Sequence, residues 1–140
     1  MESNKINTEY LDKCLKTLEK SYEMISQVET STVEYEMYRN SLVKSFEMTL
    51  EQSGKLLKKK ILPFFASKRE VDQLTFKDIF RHALNHSLID EAATVRWMKY
   101  RDNRNNTAHD YGQEFADETL FLIKTFIVDA QNLKRIIDNG

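Results

Sequence analysis

The segment Arg101-Asp-Asn-Arg-Asn-Asn-Thr-Ala-His-Asp-Tyr111 gathers two arginines, three asparagines, a histidine and a tyrosine into eleven positions. Apolar side chains thin out over the same stretch, so core packing does not account for it. These are residue types suited to a phosphodiester. Arginine presents a planar, permanently charged group that donates two hydrogen bonds at once to a phosphate. Histidine, with an unperturbed pKa near 6.5, takes or gives a proton at neutral pH. A nearby arginine cation favours the neutral imidazole, the form that acts as a base. Arg104 and His109, in the pattern R-x4-H, are the minimum set for metal-free cleavage of RNA. In that reaction His109 draws the proton from a 2′-hydroxyl, and Arg104 stabilises charge on the phosphorane-like transition state. An acid must also protonate the leaving 5′-oxygen, and a two-fold dimer would provide it as a second His109. The plain alternative is that Arg104 pairs with a local carboxylate such as Asp102 while His109 caps a helix end.

Geometry constrains this chemistry. Positions five apart on a continuous helix lie ~140° apart around its axis, so Arg104 and His109 converge only if the helix ends between them. Asparagine is a poor helix former because its amide competes for backbone hydrogen bonds. The run Asn105 to Ala108 is therefore predicted to break the helix. An extended exit would then point His109 and Tyr111 the same way. Arg101, Asp102 and Asn105 are supporting residues of this candidate site. A second cluster is weaker. His82 and His86 are four apart and share a helix face, with Asp90 as the obvious third ligand. A catalytic H-E-x-x-H would need glutamate at the position of Ala83. Hydrogen-bonded or exposed histidines are the expectation, with no metal and no cofactor.

The elements that hold the segment are helical. Only three Gly and one Pro occur in 140 residues, too few for the many turns of a sheet protein. Hydrophobic content of 41% and charged content of 31% fit a globular chain. The fold class is all-α, an antiparallel four- to five-helix bundle, in one domain spanning 1–140. A helix from Asn7 or Thr8 to about Val28 carries the stripe Leu11, Leu15, Leu18, Tyr22 and Ile25. Cys14 borders that stripe as a small buried hydrophobe. A capping box at Ser31 to Glu34 opens a long helix to about Lys60, with Tyr35, Tyr38, Leu42, Phe46, Thr49, Leu50 and Leu57 inward. Lys58, Lys59 and Lys60 suit the negative end of its dipole; a phosphate-contacting patch is the other reading. Pro63 ends it. Phe64 to Gln73 is a connection with a short helical turn. Thr75 caps a short helix to about His86, and Asp90 caps the next, whose apolar members are Ala92, Val95, Met98 and Trp97. After Gly112, a last helix from about Glu114 to Asp138 carries Phe115, Thr119, Ile123, Phe126, Ala130, Leu133 and Ile137. Leu120, Phe121, Leu122 and Ile127 give it a second apolar face, which points to a homodimer.

Net charge of −1 and a pI near 6.3 argue against a general nucleic-acid binder, though not against a local basic cleft. One cysteine rules out an intrachain disulfide and fits a reducing compartment. The opening residues carry no apolar run, and no stretch approaches the ~20 apolar residues of a membrane span. The expectation is a cytoplasmic protein with no membrane contact.

The motif also resembles a known one. Arg104-Asn-Asn-Thr-Ala-His109-Asp-Tyr111 is similar to the R-x4-H-x-Y motif of HEPN-domain proteins, in particular the HepT-like group, also called nucleotidyltransferase substrate-binding proteins. Phe46-Glu47 with Glu51 and the Lys-rich end Lys55 to Lys58 resembles that family's second helix. Phe76 to Arg81 and Leu88-Ile89-Asp90 resemble its third helix and the loop that follows. The family usually has tryptophan where Gly54 stands, a departure that bears on packing beneath the site. The resemblance runs from about Tyr35 to the C-terminus. It implies a dimeric helical bundle paired with an MntA-type minimal nucleotidyltransferase. It further implies metal-independent ribonuclease activity at Arg104 and His109, silenced when the partner transfers AMP from ATP to Tyr111. The older family name implies instead a non-catalytic subunit that presents substrate to the nucleotidyltransferase.

Overall fold

The computed structural model describes residues 5–109 and 117–139, with side chains for all of these except 105–109, 117 and 118. The described residues form α1 (Glu9–Ile25), α2 (Val33–Ile61), a 3-10 turn (Leu62–Phe64), α3 (Lys68–Asp72), α4 (Phe76–Asn85), α5 (Glu91–His109) and α6 (Asp117–Asp138). The all-α expectation holds, and α3 is the short turn foreseen within the connection after Pro63. Phe115 and the start expected near Glu114 lie outside the described residues.

The stripe of α1 is buried at Leu11, Leu15, Leu18 and Ile25, with Cys14 beside it. Burial also pushes the Cys14 thiol up from its ordinary pKa, which suits a packing role rather than a reactive one. Asn7, not Thr8, caps the first turn by accepting from the Glu9 amide at 2.9 Å. The Thr8 hydroxyl instead donates to Asp138 at 2.7 Å, joining the start of α1 to the end of α6. Hydroxyls of Ser21 and Ser41 meet at 2.7 Å and pin α1 antiparallel to α2. Thr32 caps α2 by accepting from the Tyr35 amide at 3.1 Å, so the cap sits one residue later than the predicted box at Ser31. The expected inner face of α2 is buried at Tyr35, Leu42, Phe46, Thr49, Leu50 and Leu57. In the lysine run, Lys58 pairs with Asp72 at 2.9 Å and Lys60 donates to the Ile137 carbonyl at 3.4 Å. Two of the three lysines are therefore engaged with α3 and with the end of α6, contacts that neither the dipole reading nor the phosphate reading named.

A reciprocal capping box opens α4: Thr75 accepts from the Asp78 amide at 3.1 Å, and Asp78 accepts from the Thr75 amide at 3.2 Å. That backbone bond holds the Asp78 carboxyl below the usual carboxylate range. The other end of α4 is a Schellman turn. Leu88 donates to Ala83 at 2.9 Å and Ser87 to Leu84 at 3.0 Å, with Ser87 at φ 62° where glycine is commonest. The turn places Ile89 in the core and Asp90 at the cap of α5, where it accepts from the Ala93 amide at 2.7 Å.

Gly54 sets the distance between α2 and α4. A Cβ at this position would stand 2.7 Å from two carbons of the Phe76 ring, closer than any ordinary contact. Alanine there would gain ~1 kcal/mol of helix propensity but force the ring aside, at a typical overpacking cost of ~1–3 kcal/mol. We expect Gly54→Ala to lower the unfolding free energy by about 1 kcal/mol. In a Phe76→Ala background the same change should raise it by a similar amount. Urea melts of the four proteins form the cycle, and the same sign in both backgrounds would refute the close approach.

Candidate functional site

α5 carries the motif, and it is not docked by an apolar stripe. Its inward positions are Thr94, Trp97 and Tyr100. Ala92 and Val95, predicted to face the core, are exposed. The helix is rotated from the expected register because its large aromatics, not its small aliphatics, fill the core. Trp97 stacks on Phe80 at 4.8 Å and meets Phe126 edge-on at 5.4 Å; Tyr100 meets Phe126 at 5.0 Å. Such ring pairs add ~0.5–1.5 kcal/mol beyond the area they bury.

One carboxylate completes the docking. Asp129 of α6 accepts from Arg96 Nε at 2.7 Å and from a second Arg96 nitrogen at 2.9 Å. It also accepts from the Tyr100 hydroxyl at 2.5 Å. Its side chain is 5% exposed, so all three bonds offset a real desolvation cost. Burial first, and then the bond to Asp129, push the Tyr100 phenol well above its ordinary pKa. The hydrogen bonds to Asp129 likewise raise that of the Arg96 guanidinium. None of these three residues was singled out from sequence. A lone Asp amid Ile127, Val128 and Ala130, with Tyr100 and Arg96 four apart on the preceding helix, was the available signal. A groove of about 540 Å³ runs beside the clamp, with Leu88, Trp97, Leu133 and Ile136 among its walls.

The motif residues are placed as follows. Arg101 is exposed, its guanidinium carbon 5.3 Å from the centre of the Phe76 ring. Asp102 pairs with Lys77 of α4 at 2.7 Å. Arg104 is half-buried and, among the described residues, forms no ion pair. The expected alternative, Arg104 paired with Asp102, is not what the structure has. The two are two positions apart, ~160° around a helix, so their side chains diverge. α5 is helical through His109, which corrects the predicted break at Asn105 to Ala108. An Asn costs a running helix only a fraction of ~1 kcal/mol relative to alanine, and a nucleus of more than three turns precedes it. Positions 104 and 109 are therefore ~140° and ~7.5 Å apart on one axis. The side chains of Asn105 and His109, and all of Tyr111, lie outside the described residues. His82 meets Phe65 edge-on at 4.8 Å, His86 stacks on Phe64 at 3.8 Å, and Asp90 is engaged as a cap. Among the described residues no three His, Cys, Asp or Glu side chains converge as a metal site would require. Nor, among them, is any helix long and apolar enough to cross a membrane.

The chain belongs to the nucleotidyltransferase substrate-binding protein-like family, whose model matches residues 6–138. One relative is a Haemophilus influenzae protein named "Probable ribonuclease HepT". It is 29% identical over 137 residues, covering 95% of this chain and 92% of that protein. A solved structure from Haemophilus influenzae, described as revealing the fold of a substrate-binding domain of a nucleotidyltransferase, is also similar. It has a TM-score of 0.72 at 23% identity, over 94% of this chain and 98% of that one.

The Tyr100 shift has a sign that can be measured. A phenol whose folded pKa is raised contributes stability fully present below its unfolded pKa and lost as pH climbs toward the folded value. Stability should therefore fall above the ordinary tyrosine value of 10.0, where the unfolded phenol ionises and the folded one does not. Urea melts at about pH 8 and about pH 11 should show Tyr100→Phe losing less than the parent over that interval. At the lower pH the variant should be weaker by about 1.5–3 kcal/mol, the worth of a hydrogen bond to a charged group. Equal alkaline losses in both proteins would rule out a phenol held protonated by Asp129.

Proposed function

We propose that this chain is the HepT-like subunit of a toxin–antitoxin pair, a metal-independent endoribonuclease acting as a cytoplasmic homodimer of one HEPN-like domain. The observation that carries the reading is Arg104, a half-buried cation on the helix that also ends in His109. Membership of the family and the name of the Haemophilus influenzae relative support it. His109 takes the proton of a ribose 2′-hydroxyl, and the 2′-oxygen bonds to the adjacent phosphorus. Arg104 holds the charge that builds on the non-bridging oxygens. The bond from phosphorus to the 5′-oxygen breaks, and that oxygen takes a proton from the second copy's histidine. The products are a 2′,3′-cyclic phosphate and a 5′-hydroxyl.

The continuous helix favours a site shared between copies, since one chain's backbone spreads positions 104 and 109 apart. Of the apolar face expected on α6, Leu120, Leu122 and Ile127 pack against the core and Phe121 stays exposed, so the second copy is proposed to meet the outside of α5 and α6. Val95 is 51% exposed, Phe121 69% and Val128 53%. Val95 and Val128 each precede a member of the Arg96–Asp129 pair, and Phe121 lies seven positions before Val128 on the same face. Exposed apolar groups grouped in this way mark an interaction surface.

Regulation follows from Tyr111. An MntA-type minimal nucleotidyltransferase would transfer AMP from ATP to the phenol, placing bulk and negative charge beside the cation meant for RNA. The runner-up is a non-catalytic substrate-binding subunit of a two-component nucleotidyltransferase, favoured by the family description and by the low net charge of −1.

The pure protein should cut RNA in EDTA, and His109→Ala should lose at least ~100-fold of that rate, the lower end for a general base. Equal and intact RNA with both proteins would discard the catalytic reading and leave the binding subunit. With ATP and the cognate nucleotidyltransferase, mass spectrometry should find one AMP on the parent and none on Tyr111→Phe. An unmodified parent that nevertheless co-purifies with that partner would instead support the runner-up.

A further inference from the structure

Three features of the described structure meet at Arg101. The absence of a side chain at Gly54 lets the Phe76 ring lie against α2, where a Cβ would be 2.7 Å away. Phe76 is further braced by Phe80, the ring centres 4.7 Å apart. The Arg101 guanidinium then rests over Phe76 at 5.3 Å, within the range where a cation is attracted to a ring face. Two carboxylates, one next to Arg101 and one two residues after Phe76, are already engaged. Asp102 pairs with Lys77 at 2.7 Å, and Asp78 serves the α4 capping box and Arg81, the latter at 3.1 Å. Among the described residues, Arg101 forms no ion pair and stays exposed. The guanidinium carbon lies over the ring, and among the described residues no carboxylate takes its N–H donors. A planar fork held in this way offers two parallel bonds to a phosphate.

Arg104 lies one helical turn further on. Residues three apart on a helix have Cβ atoms ~5–6 Å apart, so the two cations form a short row along α5. We propose that Arg101, held on the Phe76 ring in the space left by Gly54, is a second RNA phosphate-binding residue beside Arg104. This rests on the ribonuclease reading and extends it. Arg104 serves the phosphate that reacts, and Arg101 grips a neighbouring phosphate of the same strand, fixing its register without reading sequence. Phe76 is a positioning residue, acting only through Arg101.

The test is the salt dependence of binding, which counts phosphate contacts and does not respond to a purely structural role. The full-length His109→Ala protein would be titrated with a fluorescein-labelled single-stranded RNA of mixed sequence over a range of KCl concentrations. Adding Arg101→Ala should flatten the plot of log K against log salt by about 0.7, the value of one contact on a single strand. Arg101→Lys, which keeps the charge, should restore the slope. An unchanged slope in Arg101→Ala, or a flattened slope that Arg101→Lys does not restore, would overturn the assignment of Arg101. Cleavage by the unmutated protein alongside such a result would leave the ribonuclease reading standing. Absence of both RNA binding and cleavage would remove the two together.

Discussion

Asp129 lies on the buried side of α6 and accepts hydrogen bonds from Arg96 and Tyr100, both on α5. A carboxylate this far from water costs several kcal/mol unless its lone pairs are filled, so the two helices are stable together only in the register that fills them. The aromatic side chains then pack around that register. Trp97 and Tyr100 both reach Phe126, and Phe126 reaches Phe46 of α2 at 4.8 Å. A helix with little apolar surface of its own is thus oriented by one polar clamp and a chain of rings. Rotating it about its axis would strand the charge and open the core at once. The orientation of Arg101 and Arg104 is inherited from that restriction.

What sequence reveals here depends on how each helix is docked. α1, α2 and α6 bury regular stripes, such as Leu11–Leu15–Leu18 and Ile123–Phe126–Ala130, and periodicity finds them. α5 buries Thr94, Trp97 and Tyr100 and exposes Val95, so a count of aliphatic residues selects the wrong face. The residue types of the motif suggested chemistry in the sequence, while the spacing R-x4-H, short and common, equally suited a local ion pair and a helix cap. Its backbone was not legible. Three asparagines suggested a broken helix, yet local propensity is a small term beside the cooperativity of a helix already several turns long. The Asp129 clamp joins residues 33 and 29 positions apart, and no local pattern announces such a pair.

Gly54 shows how the lack of a side chain is used in packing. An aromatic ring from α4 lies where a Cβ on α2 would otherwise stand. α4 is in turn fixed by its reciprocal capping box and by Lys77 reaching Asp102, so the ring arrives on a well-anchored helix.

The bond between Thr8 and Asp138 has a bearing on how this molecule can be tethered. It gathers the beginning of α1 and the end of α6 at one pole of the bundle. The 22 residues of α6 separate that pole from the Asp117 end, next to which α5 finishes, by ~33 Å. A tag, a surface linkage or a fused partner attached near either of those residues is held several helical turns from Arg104. Attachment at that pole and the proposed chemistry at Arg104 can therefore share one small bundle without competing for surface.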